Sequence, residues 1–318
     1  MIMRAFTATL LAAAAAVALL PAAPVAAQSQ RPTAKTGRAA AVSPTSANLT
    51  GSSNPNGRPT QVFVQYGLGA KLNEATPPQD IGSGTRAVPV RVDVTNLRPN
   101  SKYSFRLVAR SGTVRTNGAI KTFKTSKVPV SVTLAAAPAV VTFGDSVVLS
   151  GTVGGTGSAN ARVQPELRPF PFNAPFAPAG NALIATAEGA YNFQTTPQVS
   201  TDYRSNATVN GKVTFSPTIR VGVAPRVTLR IKRLKNKRVR FRGDVAPGGD
   251  AVVRLIRISK SGKRKTLKKT TTRGSDLDSF KFKKRKVRKK YDFVVNVTPA
   301  NGAFVPGESR VRTVKPKR

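Results

Sequence analysis

The sequence predicts an all-β protein of three tandem antiparallel β-sandwich domains after a signal peptide. Three observations carry this expectation. Val-, Thr- and Phe-rich runs alternate apolar and polar residues with a period of two. Gly, Pro and Asn clusters separate those runs. No segment holds a helical period closed by capping residues. Many short strands at this spacing are the raw material of sandwiches.

The elements follow in order. Residues 1–27 read as a secretory signal: Arg4 supplies the positive end, Leu10–Leu20 is a short apolar run, and Pro21 and Pro24 break it. Val25-Ala26-Ala27 then offers small residues for cleavage after Ala27. The alternative is an uncleaved membrane anchor, but the apolar run is shorter than the roughly 20 residues a spanning helix needs. Gln28–Gly37 is a polar leader. The first domain is expected over 38–127. There Val62, Val64 and Tyr66 alternate, then Val88, Val90, Val92 and Val94, then Tyr103, Phe105 and Leu107, with Asn54-Pro55-Asn56-Gly57 as a turn.

The second and third domains, expected over 128–224 and 225–318, look like copies of one plan. Val132-Thr133-Leu134 precedes Val147–Val153, and Val227-Thr228-Leu229 precedes Val239–Val245. Both second segments read V-x-[L/F]-x-G-x-V. Tyr191-Asn192-Phe193 is followed by Tyr203, and Phe280-Lys281-Phe282 by Tyr291. Linkers are expected near Lys127-Val128-Pro129 and Val223-Ala224-Pro225.

Leu97-Arg98-Pro99-Asn100-Ser101-Lys102-Tyr103-Ser104-Phe105-Arg106 resembles the corner between strands E and F of fibronectin type III domains. Asn54–Gly57, Thr60, Tyr66-Gly67 and Lys121–Thr125 resemble the bacterial version of that domain. The resemblance implies a tyrosine corner at Tyr103, its hydroxyl bonding back to nearby backbone. The core Trp common in the family is absent. The second and third domains resemble bacterial immunoglobulin-like domains.

Composition removes several function classes. There is no Cys and no His, so disulfides, thiolate sites, Cys nucleophiles, Ser-His-Asp triads and His-metal sites cannot form. Among 13 acids a glycosidase-type carboxylate pair stays possible. However, Asp93 and Asp292 fall at outward strand positions. Asp244, Asp250, Asp276 and Asp278 fall in or beside turns near basic residues, where turn hydrogen bonds and charge pairing occupy them. No catalytic residue, metal ligand or cofactor is expected. The loop Pro165–Pro178 carries Phe170, Phe172 and Phe176. It is expected to fold back over its own sandwich; the alternative is an aromatic anchor for a partner or a sugar.

Charge is the strongest functional signal. Pro225–Arg318 holds 31 Lys or Arg against 6 Asp or Glu, a net +25 of the chain's +39. Period two puts Arg238, Arg240 and Arg242 on a solvent face opposite Val239 and Phe241. Lys260–Lys269 and Lys283–Lys290 read as basic connections. The expected polyanion-binding residues are Arg238, Arg240, Arg242, Lys263, Arg264, Lys265, Lys283, Lys284, Arg285, Lys286, Arg288, Lys289 and Lys290. The alternative is a solvated face that keeps strand edges from pairing.

These observations together point to a secreted or cell-envelope, non-enzymatic adhesion or spacer protein. Its partner would be an anionic polymer or surface: wall polymer, acidic polysaccharide, anionic lipid or nucleic acid. An accessory role in extracellular polysaccharide breakdown and extracellular nucleic-acid binding are the alternatives.

Overall fold

The computed structural model describes residues 31–235, 238–274, 277–287 and 289–315. The expected signal segment lies outside them. Regular structure among the described residues is β throughout, in tandem sandwiches. The chain divides into two compact units: residues up to Leu97 with Ser101–Thr125, and Arg98–Asn100 with everything from Ser126.

The first unit contains β1 (Lys35–Ala40), β2 (Ala47–Ser53), β3 (Gln61–Leu68), β4 (Glu74–Ala75), β5 (Gln79–Asp80), β6 (Val88–Val94), β7 (Lys102–Ser111), β8 (Val114–Asn117) and β9 (Lys121–Lys124). One sheet has the order β1-β2-β6; the other runs β4-β3-β7-β8, with β5 also on β3 and β9 also on β7. Period two delivers the core between them. Val62, Val64, Val90, Val92, Phe105 and Leu107 are all buried. Asn56 and Gly57 take positive φ at the turn after β2, where Asn54 Oδ1 accepts the Asn56 N–H at 3.0 Å. Tyr103 is buried and stacks on Phe123 at 5.6 Å.

The second unit holds two cores. Around the first are β10 (Ser131–Val132), β11 (Ala135–Ala137), β12 (Val140–Thr142), β13 (Val147–Gly154), β14 (Arg162–Pro169), β15 (Ala177–Pro178), β16 (Leu183–Ile184), β17 (Ala190–Thr195), β18 (Thr201–Val209), β19 (Lys212–Phe215) and β20 (Ile219–Ala224). Around the second are β21 (Arg226–Val227), β22 (Arg230–Arg233), β23 (Arg238–Ala246), β24 (Ala251–Ile258), β25 (Arg264–Thr272), β26 (Asp278–Lys286), β27 (Tyr291–Pro299), β28 (Gly307–Glu308) and β29 (Arg312–Val314).

The repeated motif has a physical cause. In each sandwich one strand carrying V-x-[L/F]-x-G-x-V takes two short partners on one side, β10 and β11 on β13, and β21 and β22 on β23. A threonine sits at each break. Thr133 Oγ1 accepts the Thr152 N–H, and Thr228 Oγ1 accepts the Asp244 N–H, both at 2.9 Å. On the other side β17 sets Tyr191 opposite Gly151, and β26 sets Phe280 opposite Gly243. Each ring lies over its glycine. A Cβ on Gly151 would sit 2.6 Å from Tyr191 Cζ; one on Gly243 would collide with Phe280 Cζ and Thr228 O. The second copy drops the hydroxyl. Tyr191 donates to Thr133 O at 2.5 Å, whereas Phe280 fills the same place with a bare ring.

The two sandwiches of this unit are knitted together. Phe304 packs against the first core and meets Phe143 edge-on at 6.4 Å. Ser200 N–H donates to Ala303 O at 2.7 Å, and Val305 N–H to Val223 O at 2.9 Å. Arg226 reaches Asp145 at 2.6 Å. The expected linker at Val223-Ala224-Pro225 is thus the end of a paired strand with Val223 buried.

On the outer face of the β14-β18-β20 sheet, register places charges in alternation. Arg168 faces Asp202, and Asp202 faces Arg220, across three neighbouring strands. The ion pairs are 3.0 and 2.7 Å long. Burial pushes the Asp202 carboxyl up, but hydrogen bonds and charge from Arg220 and Arg168 more than offset it, so its pKa lies below the ordinary value. Asp202→Asn is expected to cost about 2 kcal/mol, less than the 3–5 kcal/mol of a wholly buried pair because both guanidiniums reach water. A carboxyl with a depressed folded pKa contributes stability that is present above the unfolded value of about 3.9 and is lost as pH falls through the folded value. Denaturant melts from neutral to strongly acid solution should therefore show a steeper acid loss in the wild type than in Asp202→Asn.

Candidate polyanion interface

The third sandwich pairs the sheet β21-β23-β22, with β26 also on β23, against the sheet β25-β24-β27-β28, with β29 also on β27. Its core includes Val239, Phe241, Val253, Leu255, Phe280, Phe282, Phe293 and Val295. The inward residues of β22, β23 and β26 force their sequence neighbours outward, and Arg230, Lys232, Arg238, Arg240, Arg242, Lys281 and Lys283 are among those neighbours.

Register then aligns them. Arg230, Arg242 and Lys281 form one row across three strands. Lys232 and Arg240 form a second, and Arg238 faces Lys286 in a third. Lys283 follows Lys281 two residues along, on the same exposed side. Strands lie about 4.8 Å apart, and same-face residues about 6.8 Å apart along a strand, so this is a raft of closely spaced cations. Asp244 pairs with Arg230 at 2.6 Å. Among the described residues no ion pair involves Lys232, Arg238, Arg240, Arg242, Lys281, Lys283 or Lys286, and Arg240 Nε is buried without a hydrogen-bond partner.

The contrast with the second sandwich is instructive. There Arg168, Arg204 and Arg220 are ion-paired and covered. Arg204 binds Glu166 at 2.6 Å and lies 4.2 Å from the Phe176 ring centre and 4.3 Å from that of Phe215. Arg220 lies 3.8 Å from the Phe172 ring centre. The aromatic loop after β14 therefore folds back onto its own sandwich, where its rings roof ion-paired guanidiniums. Among the described residues the raft has no such roof, and Asp244 alone neutralises one of its members. Like charges directly opposite across strands destabilise a sheet, so this face is retained at a cost to stability.

The expected residues do not form one surface. Arg238, Arg240, Arg242, Lys283 and Lys286 lie on the raft. Arg264 and Lys265 lie on β25 of the opposite sheet, with Lys263 in the turn before it, and Arg264 pairs with Glu308. Lys260–Lys269 is mostly strand rather than connection. Only Leu267 on it packs against the core, so the alternation that marks a strand is missing. A bulge in the β23–β26 pairing shifts the phase. Arg285 comes to face Val239 and sits half-buried, its guanidinium directed at Leu267 O, while Lys286 faces out. Lys289 and Lys290 are exposed after Val287. The Lys284 side chain and Arg288 lie outside the described residues. Arg230, Lys232 and Lys281 complete the raft; their signal was the same alternation, and only the strand pairing shows that they adjoin Arg240 and Arg242.

No family model matches the chain, and no curated protein matches it. Solved structures are similar to it in part. The sensor domain of the anti-sigma factor RsgI4 from Pseudobacteroides cellulosolvens is 17% identical over 29% of this chain and 87% of that one, at a TM-score of 0.24. The chicken CNTN1 FN1-FN3 domains are 15% identical over 91% and 100%, at 0.28. The chicken interferon gamma receptor alpha chain is 11% identical over 60% and 98%, at 0.35. Likenesses this distant bear on neither ligand nor partner.

Proposed function

We propose that this chain is an exported, non-enzymatic adhesion or spacer protein that holds an anionic polymer of the cell envelope or matrix on its third sandwich. The observation that supports this is the raft. Among the described residues, six cations without ion pairs stand in cross-strand rows with Lys283 beside them, while Arg168, Arg204 and Arg220 of the second sandwich are ion-paired in place. Arg forks take phosphate or carboxylate oxygens and Lys adds diffuse attraction, so affinity comes from many weak contacts. The first two sandwiches serve as spacer.

The test is retention of the full chain on wall polymers, anionic lipid vesicles and duplex DNA, each at low and physiological salt. Binding to at least one, weakened about tenfold or more by the added salt, is expected. Salt-insensitive binding, or none at low salt, would overturn the reading.

A further inference from the structure

We propose that the third sandwich carries a second, formed anion site: a cleft for a phosphomonoester between the free edges of its two sheets. This inference stands whether or not the raft holds a polymer. Leu229, just before β22, and Ile231 and Arg233 on it follow one another at period two, and Ile231 and Arg233 stand opposite the core residues Phe241 and Val239. On β29, Arg312 stands two residues before buried Val314, on the same side. Each edge strand thus carries, at one end of its inward series, an arginine where an apolar side chain would close the core: Arg233 at the end of β22 and Arg312 at the start of β29.

The two edges frame a cleft of about 280 Å³ lined by Leu229, Ile231 and Val314 and by Arg230, Arg233 and Arg312. Asp244 holds Arg230 from the raft side at 2.6 Å. Thr313, also at the rim, gives its hydroxyl to Asp292 at 2.5 Å, so it is committed elsewhere. Among the described residues neither Arg233 nor Arg312 has an ion pair.

Charge selects the ligand class. Three guanidiniums against the Asp244 carboxylate leave a surplus of two positive charges. A phosphomonoester brings about −1.5 to −2 and three acceptor oxygens, which guanidinium forks match. A carboxylate or a phosphodiester brings only about −1. The volume approaches the lower end of small-molecule sites, about 300 Å³. That leaves room for a sugar or polyol carrying the phosphate, seated against the apolar floor.

The experiment is a calorimetric titration of the full chain, at about 0.15 M salt, with glycerol 3-phosphate, dimethyl phosphate and acetate. Saturable binding of glycerol 3-phosphate at one site is expected, about tenfold or more tighter than the other two. The double variant Arg233→Gln, Arg312→Gln should lose about tenfold or more, and Arg233→Lys should lose part of it through the missing fork. The raft variant Lys281→Gln, Lys283→Gln should bind glycerol 3-phosphate as the wild type does. Thermal melts report folding of each variant, and Arg233→Lys carries the test if the double variant melts early. Equal affinity for monoester and diester would overturn the proposal, as would no loss in either arginine variant. So would a double variant that self-associates but keeps its phosphate affinity, which would assign these arginines to guarding open strand edges.

Discussion

Gly243→Val is expected to destabilise the third sandwich by more than about 3 kcal/mol, beyond the 1–3 kcal/mol usual for overpacking. The new Cβ would meet the Thr228 carbonyl oxygen and the Phe280 ring. Neither can give way cheaply. The carbonyl belongs to the break between β21 and β22, where Thr228 bonds Asp244 through both backbone and hydroxyl. The ring is 4% exposed within the core. Gly151→Val should do the same beside Tyr191 and Thr133. The control is Gly211→Ala. Gly211 has a φ of +77° in the β18–β19 turn with nothing within 4 Å of a new Cβ, so only backbone strain remains, about 1 kcal/mol. Denaturant melts of the full chain decide the matter. A Gly243→Val midpoint close to that of Gly211→Ala would remove the ring-over-glycine explanation of the repeated motif.

That motif shows what a sequence of this kind makes legible. Alternation and glycine requirements are local. The strands around Val62, Val90, Val147 and Val239, and the kinship of the second and third sandwiches, are therefore written in the order of the residues themselves. Strand pairing is not local. The sequence presents Arg238, Arg240 and Arg242 as one outward series, but only register adds Arg230, Lys232 and Lys281 as neighbours. A one-residue bulge turns Arg285 inward and leaves Lys286 outward, which no alternation rule could foresee within an unbroken basic run. Arg264–Thr272 looks like a loop because an edge strand needs few apolar residues. Arg233 and Arg312 were hidden for the opposite reason: they occupy the inward phase, where charge is not expected. The phenylalanine loop was legible as aromatic and long, but two of the guanidiniums it covers, Arg204 and Arg220, come from β18 and β20, elements joined to it only by the fold.

Replacing Arg238, Arg242, Lys281 and Lys283 together by Gln should weaken polyanion binding and leave the protein as stable as before or more so. With duplex DNA as the probe, log affinity falls with log salt by about 0.9 for each phosphate neutralised. Losing four contacts should therefore flatten that slope by up to about 3.6. Stability moves the other way because the substitutions relieve the rows Arg230–Arg242–Lys281 and Arg238–Lys286. Opposed like charges cost up to about 1 kcal/mol per pair, less once salt screens them over about 8 Å. Arg204→Gln in the second sandwich should give the reverse pattern. It removes an ion pair to Glu166 and two ring contacts, so the melting temperature falls while DNA affinity and its salt slope stay unchanged. An arginine retained for structure is missed when stability is measured, and a cation retained for binding is missed when binding is measured. If the quadruple variant lost stability and kept its salt slope, the raft would be part of the scaffold and the polyanion site would have to lie elsewhere.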